Sequence, residues 1–180
     1  MRYNIVIALV SLLTVVGCRE LKNTNESKTL SAPIASTLVA NEEQNPTTAM
    51  PSFKMLTVDN KMVNLSSLKG KKVFVNLWAT WCPPCRAEIP SIEKLATKTD
   101  KNKVAFVMLA LDNQFEKAIS YAAKNKMALP IYYPAENLPP LFNVEGIPTT
   151  FVFDEQGKLI HQQVGSVDYN TSKYVNMLTK

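Results

Sequence analysis

Two cysteines three residues apart carry the clearest chemistry in this chain of 180 residues. Cys82 and Cys85 flank Pro83-Pro84 and follow the apolar run Val73 to Trp78, which predicts a strand buried on both faces. A helix beginning here would place Cys82 at its N-terminus, where free N–H groups and the helix dipole stabilise a thiolate. A disulfide over so short a loop is easily made and broken, which predicts redox chemistry rather than a structural cross-link.

Metal binding is the alternative interpretation of the pair, because two such thiols form half of a tetrahedral zinc site. The chain has one other cysteine, Cys18, and one histidine, His161, and both are distant from the pair in sequence. These residues do not make a convincing metal site. We therefore expect neither a metal nor any other cofactor.

The order of the two thiols assigns their roles. Cys82 is predicted to be the exposed, attacking sulfur, and Cys85, one helical turn later, to resolve the mixed disulfide from within. Pro83 and Pro84 have no amide hydrogen, so only the Cys85 N–H and those beyond it can donate to the Cys82 sulfur. Fewer donors mean a less stable thiolate and a more reducing couple, nearer thioredoxin (about −270 mV) than DsbA (about −120 mV).

The remaining elements follow from hydrophobic periodicity and turn residues. We predict a hairpin of residues 53–58 and 62–64 around Asp59-Asn60, and a helix over 83–99 that Pro90 should kink. The other predictions are strands at 104–111, 131–133, 149–153 and 158–164, helices at 115–126 and 172–178, and short helical turns at 65–70 and 138–142.

The active-site run from Val75 to Pro90 resembles that of thioredoxin-like proteins of the TlpA/ResA type. These are membrane-tethered thiol–disulfide oxidoreductases of the bacterial cell envelope. The stretch from Val144 to Phe151 resembles the family's cis-proline strand. The resemblance spans about residues 50–180 and implies an α/β thioredoxin-like fold, with a central mixed sheet flanked by helices. An N-terminal β-hairpin and a helix–strand insertion at Phe115 to Tyr133 are expected as additions.

The resemblance also implies a substrate-binding loop. The Ile147–Pro148 bond is expected to be cis and to pack against the cysteine pair, with the Ile147 backbone turned outward to pair with an extended client strand. Thr149 opens the next strand and is expected beside the pair. Trp81 offers apolar contact area to a partner protein, which completes the predicted substrate-binding set.

A proton acceptor is expected at Glu88. Thioredoxin has a buried aspartate in the strand before its motif, whereas the matching residue here is Asn76, an amide that does not take up a proton at neutral pH. Glu88 lies three residues after Cys85 on the same helical side. Since ResA-like proteins use a glutamate at this position near the thiols, we assign Glu88 as the base for Cys85. The alternative is a solvated glutamate that complements the helix dipole.

The N-terminal segment resembles a bacterial lipoprotein signal. Arg2 precedes an apolar core that is too short to span a membrane, and Val15-Val16-Gly17-Cys18 resembles a lipobox. We expect residues 1–17 to be a signal peptide, Cys18 to be lipidated, residues 18–49 to be a flexible tether, and residues 50–180 to be the thioredoxin-like domain.

These features predict an envelope protein-disulfide reductase. The formal net charge is +5, but the basic residues are scattered and no nucleic-acid partner is expected. No nucleotide-binding motif is present, so a membrane thiol carrier should supply electrons to a monomer anchored by its lipid. Client proteins with cysteine pairs are expected, for example during cytochrome c maturation, with the domain in the periplasm or outside the cytoplasmic membrane. A copper-delivery or metal-binding thioredoxin-like module is the alternative.

Overall fold

A seven-stranded sheet forms the centre of the structure, a computed structural model that describes residues 48–180. These residues belong to one compact unit. The strands are β1 (Lys54–Thr57), β2 (Met62–Asn64), β3 (Lys72–Trp78), β4 (Val104–Ala110), β5 (Ile131–Pro134), β6 (Thr149–Phe153) and β7 (Leu159–Val164). The helices are α1 (Pro83–Ala96), α2 (Phe115–Asn125) and α3 (Ser172–Thr179), with 3-10 turns at Leu65–Leu68 and Pro140–Phe142.

The sheet is mixed, in the order β2-β1-β5-β4-β3-β6-β7. Strand β3 runs parallel to β4 and antiparallel to β6, while β4 runs parallel to β5. The hairpin β1–β2 adds to one edge through an antiparallel pairing of β1 with β5. The predicted mixed sheet, N-terminal hairpin and helix–strand insertion are therefore confirmed.

Alternation along β3 divides the core between the two faces of the sheet. Phe74 and Trp78 lie in one apolar cluster with the buried residues of α1, and Val75 and Leu77 lie in the other cluster with Phe142. Because both faces of β3 are covered, all but its first residue are buried. This burial holds the carboxyl end of β3, and hence the cysteine motif, in a fixed position.

The predicted element bounds hold to within a few residues. Asn60 adopts a left-handed backbone in the β1–β2 turn, and α1 ends at Ala96 rather than at residue 99. Pro90 lies inside α1, which continues on both sides of it. The kink expected at Pro90 stays a prediction.

The described chain begins by pairing with the β6–β7 hairpin. Thr48 accepts a hydrogen bond from the Leu159 amide at 2.6 Å, and Ala49 forms an antiparallel bridge with Lys158. The last two residues assigned to the tether are thus paired with the domain, Thr48 through this hydrogen bond and Ala49 through the bridge. The predicted signal peptide, Cys18 and the rest of the tether lie outside the described residues. Among residues 48–180, no helix is both long and apolar enough to cross a membrane.

Candidate redox site

The two cysteines form a disulfide where β3 leads into α1. The Sγ atoms of Cys82 and Cys85 are 2.05 Å apart, and the Cα atoms are 5.3 Å apart. Cys82 is the N-cap of α1, and its sulfur accepts a hydrogen bond from the Cys85 N–H at 3.2 Å. Since Pro83 and Pro84 occupy the first helical positions, this amide is the first in the helix that can donate to the sulfur. The predicted placement of the motif at a helix N-terminus is confirmed.

The exposure expected for Cys82 is wrong for the disulfide form. Cys82 is only 3% exposed and Cys85 is fully buried. The reason is the neighbouring loop, because the Ile147 carbonyl oxygen lies 3.7 Å from the Cys82 sulfur. A disulfide sulfur carries no hydrogen, so this is a contact in the oxidised state. In the reduced state a Cys82 thiol could donate to the same carbonyl.

The loop against the pair contains the cis peptide bond that the sequence predicted, between Ile147 and Pro148. Ile147 is half-buried and Pro148 is buried. Thr149 is also fully buried, and its hydroxyl donates to the Gly146 carbonyl at 2.7 Å. The Thr149 side chain therefore holds the loop together instead of offering the predicted contact surface to a client.

An exposed tryptophan and a shallow groove adjoin the disulfide. Trp81 is 65% exposed although it directly precedes Cys82. It borders a groove of about 360 Å³ whose other lining residues are Leu111, Leu138, Phe142, Asn143, Val144, Gly146 and Ile147. Most of these side chains are apolar. The predicted substrate-binding residues Trp81 and Ile147 thus line one open groove. Trp78, by contrast, is fully buried in the core.

Glu88 is buried on the inner side of α1. It is 2% exposed, and its Oε1 accepts a hydrogen bond from Asn76 Nδ2 at 2.7 Å. Burial raises the pKa of Glu88 from 4.5 to about 7, although the hydrogen bond from Asn76 and the nearby polar groups of Val167 and Ser166 partly oppose this rise. The alternative of a solvated glutamate is wrong, because the Glu88 carboxyl is buried. A buried carboxyl with this pKa is suited to taking up and releasing a proton near neutral pH.

An aspartate that was not predicted from the sequence holds Thr80, two residues before Cys82, in place. Asp112 follows β4 and is 3% exposed. Its carboxylate accepts hydrogen bonds from the Thr80 amide, at 3.1 Å to Oδ2, and from the Thr80 hydroxyl. The signal was available, because β3 and β4 are parallel neighbours and a polar residue after β4 must lie near the residues that follow β3.

No group of three or more histidine, cysteine, aspartate or glutamate side chains within residues 48–180 is arranged to hold a metal ion. His161 lies on β7, where its ring packs against Tyr174 of α3 with centroids 5.7 Å apart.

Comparison with known proteins gives consistent matches. Residues 45–178 match the Redoxin family. The thioredoxin-like protein YneN of Bacillus subtilis is 35% identical over 119 residues, which cover 65% of this chain and 70% of YneN. The thiol-disulfide oxidoreductase ResA of Bacillus thuringiensis is 29% identical over 116 residues, covering 64% of this chain and 67% of ResA.

A solved structure has the same fold. The thiol:disulfide interchange protein of the thioredoxin family from Chlorobium tepidum is 33% identical, with a TM-score of 0.60. The match covers 73% of this chain and 95% of that one. The mixed sheet with its flanking helices is therefore a thioredoxin-like fold.

Proposed function

Because the chain belongs to the Redoxin family and is a thiol–disulfide oxidoreductase with a Cys82–Cys85 pair, we propose that it reduces disulfides in client proteins. The observation that supports this most is the position of the disulfide, at the N-terminus of α1 and against the Ile147 carbonyl. That position stabilises one thiolate and sets it beside the groove in which a client strand would bind.

The reaction proceeds in two exchanges. The Cys82 thiolate attacks one sulfur of a client disulfide, so that a mixed disulfide forms and the other client sulfur leaves as a thiolate. The Cys85 thiolate then attacks the Cys82 sulfur, which releases the second client sulfur and regenerates the Cys82–Cys85 disulfide. The client gains two electrons and the enzyme loses two.

Glu88 serves the second exchange. Cys85 must lose its proton before it can attack, and it shares the buried side of α1 with Glu88. A carboxyl with a pKa of about 7 accepts this proton without a large penalty and can return it to a departing thiolate.

The groove beside the disulfide is the part of the surface that binds the client. Trp81 and Ile147 supply apolar contact, and the backbone of the cis-proline loop would add main-chain hydrogen bonds to an extended segment. A protein segment with a cysteine pair fits such an open surface, and apocytochrome c during cytochrome c maturation is the client class we propose.

The cellular setting follows from the N-terminal residues. A lipid on Cys18 would anchor the chain to a membrane of the bacterial envelope, with the domain in the periplasm or outside the cytoplasmic membrane. The tether would let a monomeric domain reach both its clients and a membrane thiol carrier, which we propose as the electron donor. No nucleic acid takes part.

Trapping of the mixed disulfide tests the proposed function. The Cys85→Ser variant should accumulate disulfide-linked client proteins in envelope extracts, because the resolving thiol is gone. These adducts should disappear on reduction and be absent in the control Cys82→Ser. If both variants form the same adducts, or neither does, the proposed reductase mechanism is wrong.

A further inference from the structure

A second groove adjoins the cysteine motif, between α1 and α2. Its volume is about 480 Å³, and we call it the α1–α2 groove. One face of each helix lines it, with residues spaced three and four apart: Pro83, Arg86 and Ala87 on α1, and Tyr121, Lys124 and Asn125 on α2. Pro83 directly follows Cys82, whereas Trp81, which lines the first groove, directly precedes it. The attacking cysteine is thus flanked in the chain by one residue of each groove.

Contacts with the core hold part of this groove in place. The half-buried ring of Tyr121 packs against the fully buried Trp78, with ring centroids 5.6 Å apart. The Tyr121 carbonyl oxygen accepts a hydrogen bond from Asn125 Nδ2 at 2.8 Å. Two of the lining side chains are therefore ordered before any partner binds, which lowers the entropic cost of binding there.

Two exposed cations, Arg86 and Lys124, border the α1–α2 groove. Within the described part of the chain, neither side chain has a hydrogen-bond or ion-pair partner. Lys117 lies one turn before Tyr121 on the same face of α2, and its ammonium donates to Asn113 Oδ1 at 2.8 Å. Because this acceptor is neutral, the charge of Lys117 is not compensated either. The groove therefore presents positive charge to its surroundings.

The three acidic residues of α1 and α2 do not line this groove. Glu88 is buried on the inner side of α1. Glu93 lies further along that helix and accepts a hydrogen bond from the Ala128 amide at 2.8 Å. Glu116 shares its face of α2 with Ala123, which lines a different groove. An anionic group that enters the α1–α2 groove would therefore meet cations whose charge these carboxylates do not offset.

The position of the groove beside Cys82 suits an extended protein segment. Arg86 lies four residues after Cys82, about 6 Å along the helix axis. Residues of an extended strand are about 3.3 Å apart, so a client side chain two residues from the attacked cysteine lies about 7 Å from it. An acidic side chain at that distance can reach the Arg86 guanidinium, whose parallel N–H donors match the two oxygens of a carboxylate.

We propose that the α1–α2 groove binds acidic side chains of the client, on one side of the cysteine that Cys82 attacks, through Arg86 and Lys124. This inference rests on the proposed reduction of client disulfides and adds a charge preference to it. The apolar groove beside Trp81 takes the other side of the client segment. Charges at the rim of an interface act mainly on the association rate and its salt dependence. The preference therefore concerns the formation of the mixed disulfide.

The rate of the first exchange with peptides of different charge tests the proposal. Each peptide has one cysteine with a 2-thiopyridyl group, whose release is read by absorbance, and a pair of aspartates, serines or lysines before or after it. With the reduced full chain of Cys85→Ser in mild detergent, one placement of the aspartates should react about 5- to 10-fold faster than serines in low salt. This difference should vanish at about 1 M salt, where the screening length is about 3 Å. Equal rate constants for aspartate and serine peptides in both placements would overturn the proposal.

Matched substitutions show whether the two cations cause the preference. Arg86→Gln with Lys124→Gln should lose it, and Arg86→Glu with Lys124→Glu should favour the lysine peptide instead. Each rate constant is divided by that of the serine peptide, so a change in the intrinsic reactivity of Cys82 cancels. Lys61→Gln with Lys101→Gln removes the same charge from exposed lysines in the β1–β2 turn and in the loop before β4, and should keep the preference. An aspartate preference that survives both Arg86 and Lys124 variants, or that is lost in this control, would contradict the proposal.

Binding without thiol chemistry separates this inference from the proposed function. On the oxidised full chain, an aspartate peptide with serine in place of its cysteine should shift the ring proton resonances of Tyr121, and the lysine peptide should not. If this shift occurs but no peptide forms a mixed disulfide with Cys82, the proposed function fails and the inference stands. If all peptides react at equal rates and Tyr121 does not shift, only the inference fails. A Tyr121 shift with vesicles of anionic lipid but not with the aspartate peptide would assign the groove to the membrane and overturn the proposal.

Discussion

At the scale of single residues, Glu88 shows how burial turns a common carboxyl into a base for thiol chemistry. Its side chain loses almost all contact with water, which raises its pKa to about 7. The Asn76 donor partly offsets that loss of hydration. A surface glutamate, with a pKa near 4.3, would be a much poorer proton acceptor for a thiol.

We predict that Glu88→Gln stabilises the oxidised protein at high pH. The folded state binds the Glu88 proton more tightly than the unfolded chain does, so this group makes the free energy of unfolding fall as pH rises from about 4.5 through about 7. Above that range the group should destabilise the fold by on the order of 3 kcal/mol relative to low pH. Glutamine removes this pH dependence.

Urea unfolding of the wild type and Glu88→Gln at pH 5 and pH 8 would measure the effect. The difference in unfolding free energy between the two proteins should be larger at pH 8, in favour of the variant. Glu116→Gln on the exposed side of α2 is the matched control and should show no such difference. A pH-independent difference for Glu88→Gln would mean that the carboxyl has an ordinary pKa.

The residue types at the site could be predicted from sequence, but their contacts could not. The Cys-x-x-Cys spacing identified the thiols, and helical spacing placed Glu88 on the side of Cys85. The partnership of Asn76 with Thr150 depends on the β3–β6 register, and that of Tyr169 with Thr150 depends on a loop path. Neither has a local sequence signal.

At the scale of elements, the N-terminus of α1 sets the character of the redox couple. Cys82 caps the helix, so its sulfur lies at the positive end of the dipole. Pro83 and Pro84 take up the first helical positions, which leaves the Cys85 amide as the nearest donor. The thiolate is therefore stabilised less than it would be by three free amides, and the couple should be reducing.

Most elements were predictable because their signals are local. Continuous apolar runs gave β3 and β4, and alternation around Asp59-Asn60 gave the first hairpin. The ends of the helices were predicted less well than the strands. Helix α1 ends at Ala96 rather than at residue 99, although the residues after Ala96 are compatible with a longer helix. The burial of Cys82 was missed because the cis-proline loop that covers it lies about 65 residues away.

At the scale of the whole molecule, the sheet order brings distant segments to one edge. The cysteine motif follows β3, Asp112 follows β4 and the cis-proline loop precedes β6, and these three strands are neighbours. The sequence predicted that the cysteine motif meets the cis-proline loop only through its resemblance to a family, because strand order is not encoded in hydrophobic periodicity, and Asp112 was not predicted. The fold thereby builds one redox site from three separate parts of the chain.

The location of the molecule rests on Cys18, which lies outside the described residues. We predict that labelled fatty acid enters the wild-type protein expressed in bacteria, because Val15-Val16-Gly17-Cys18 follows an apolar signal core. Cys18→Ser should take up no label, while Cys82→Ser should be labelled like the wild type. Equal labelling of wild type and Cys18→Ser would remove the lipid anchor from this account.

The reduction potential of the Cys82–Cys85 couple tests the central claim most directly, since the chain is proposed to be a reductase. Equilibration of the full chain with thioredoxin of known potential, followed by thiol alkylation and mass measurement, gives the value. We predict a potential nearer to about −270 mV than to about −120 mV. Pro84→Ala, which adds one amide donor beside the Cys82 sulfur, should shift it in the oxidising direction. A wild-type potential close to that of DsbA would contradict the account and make the protein an oxidant.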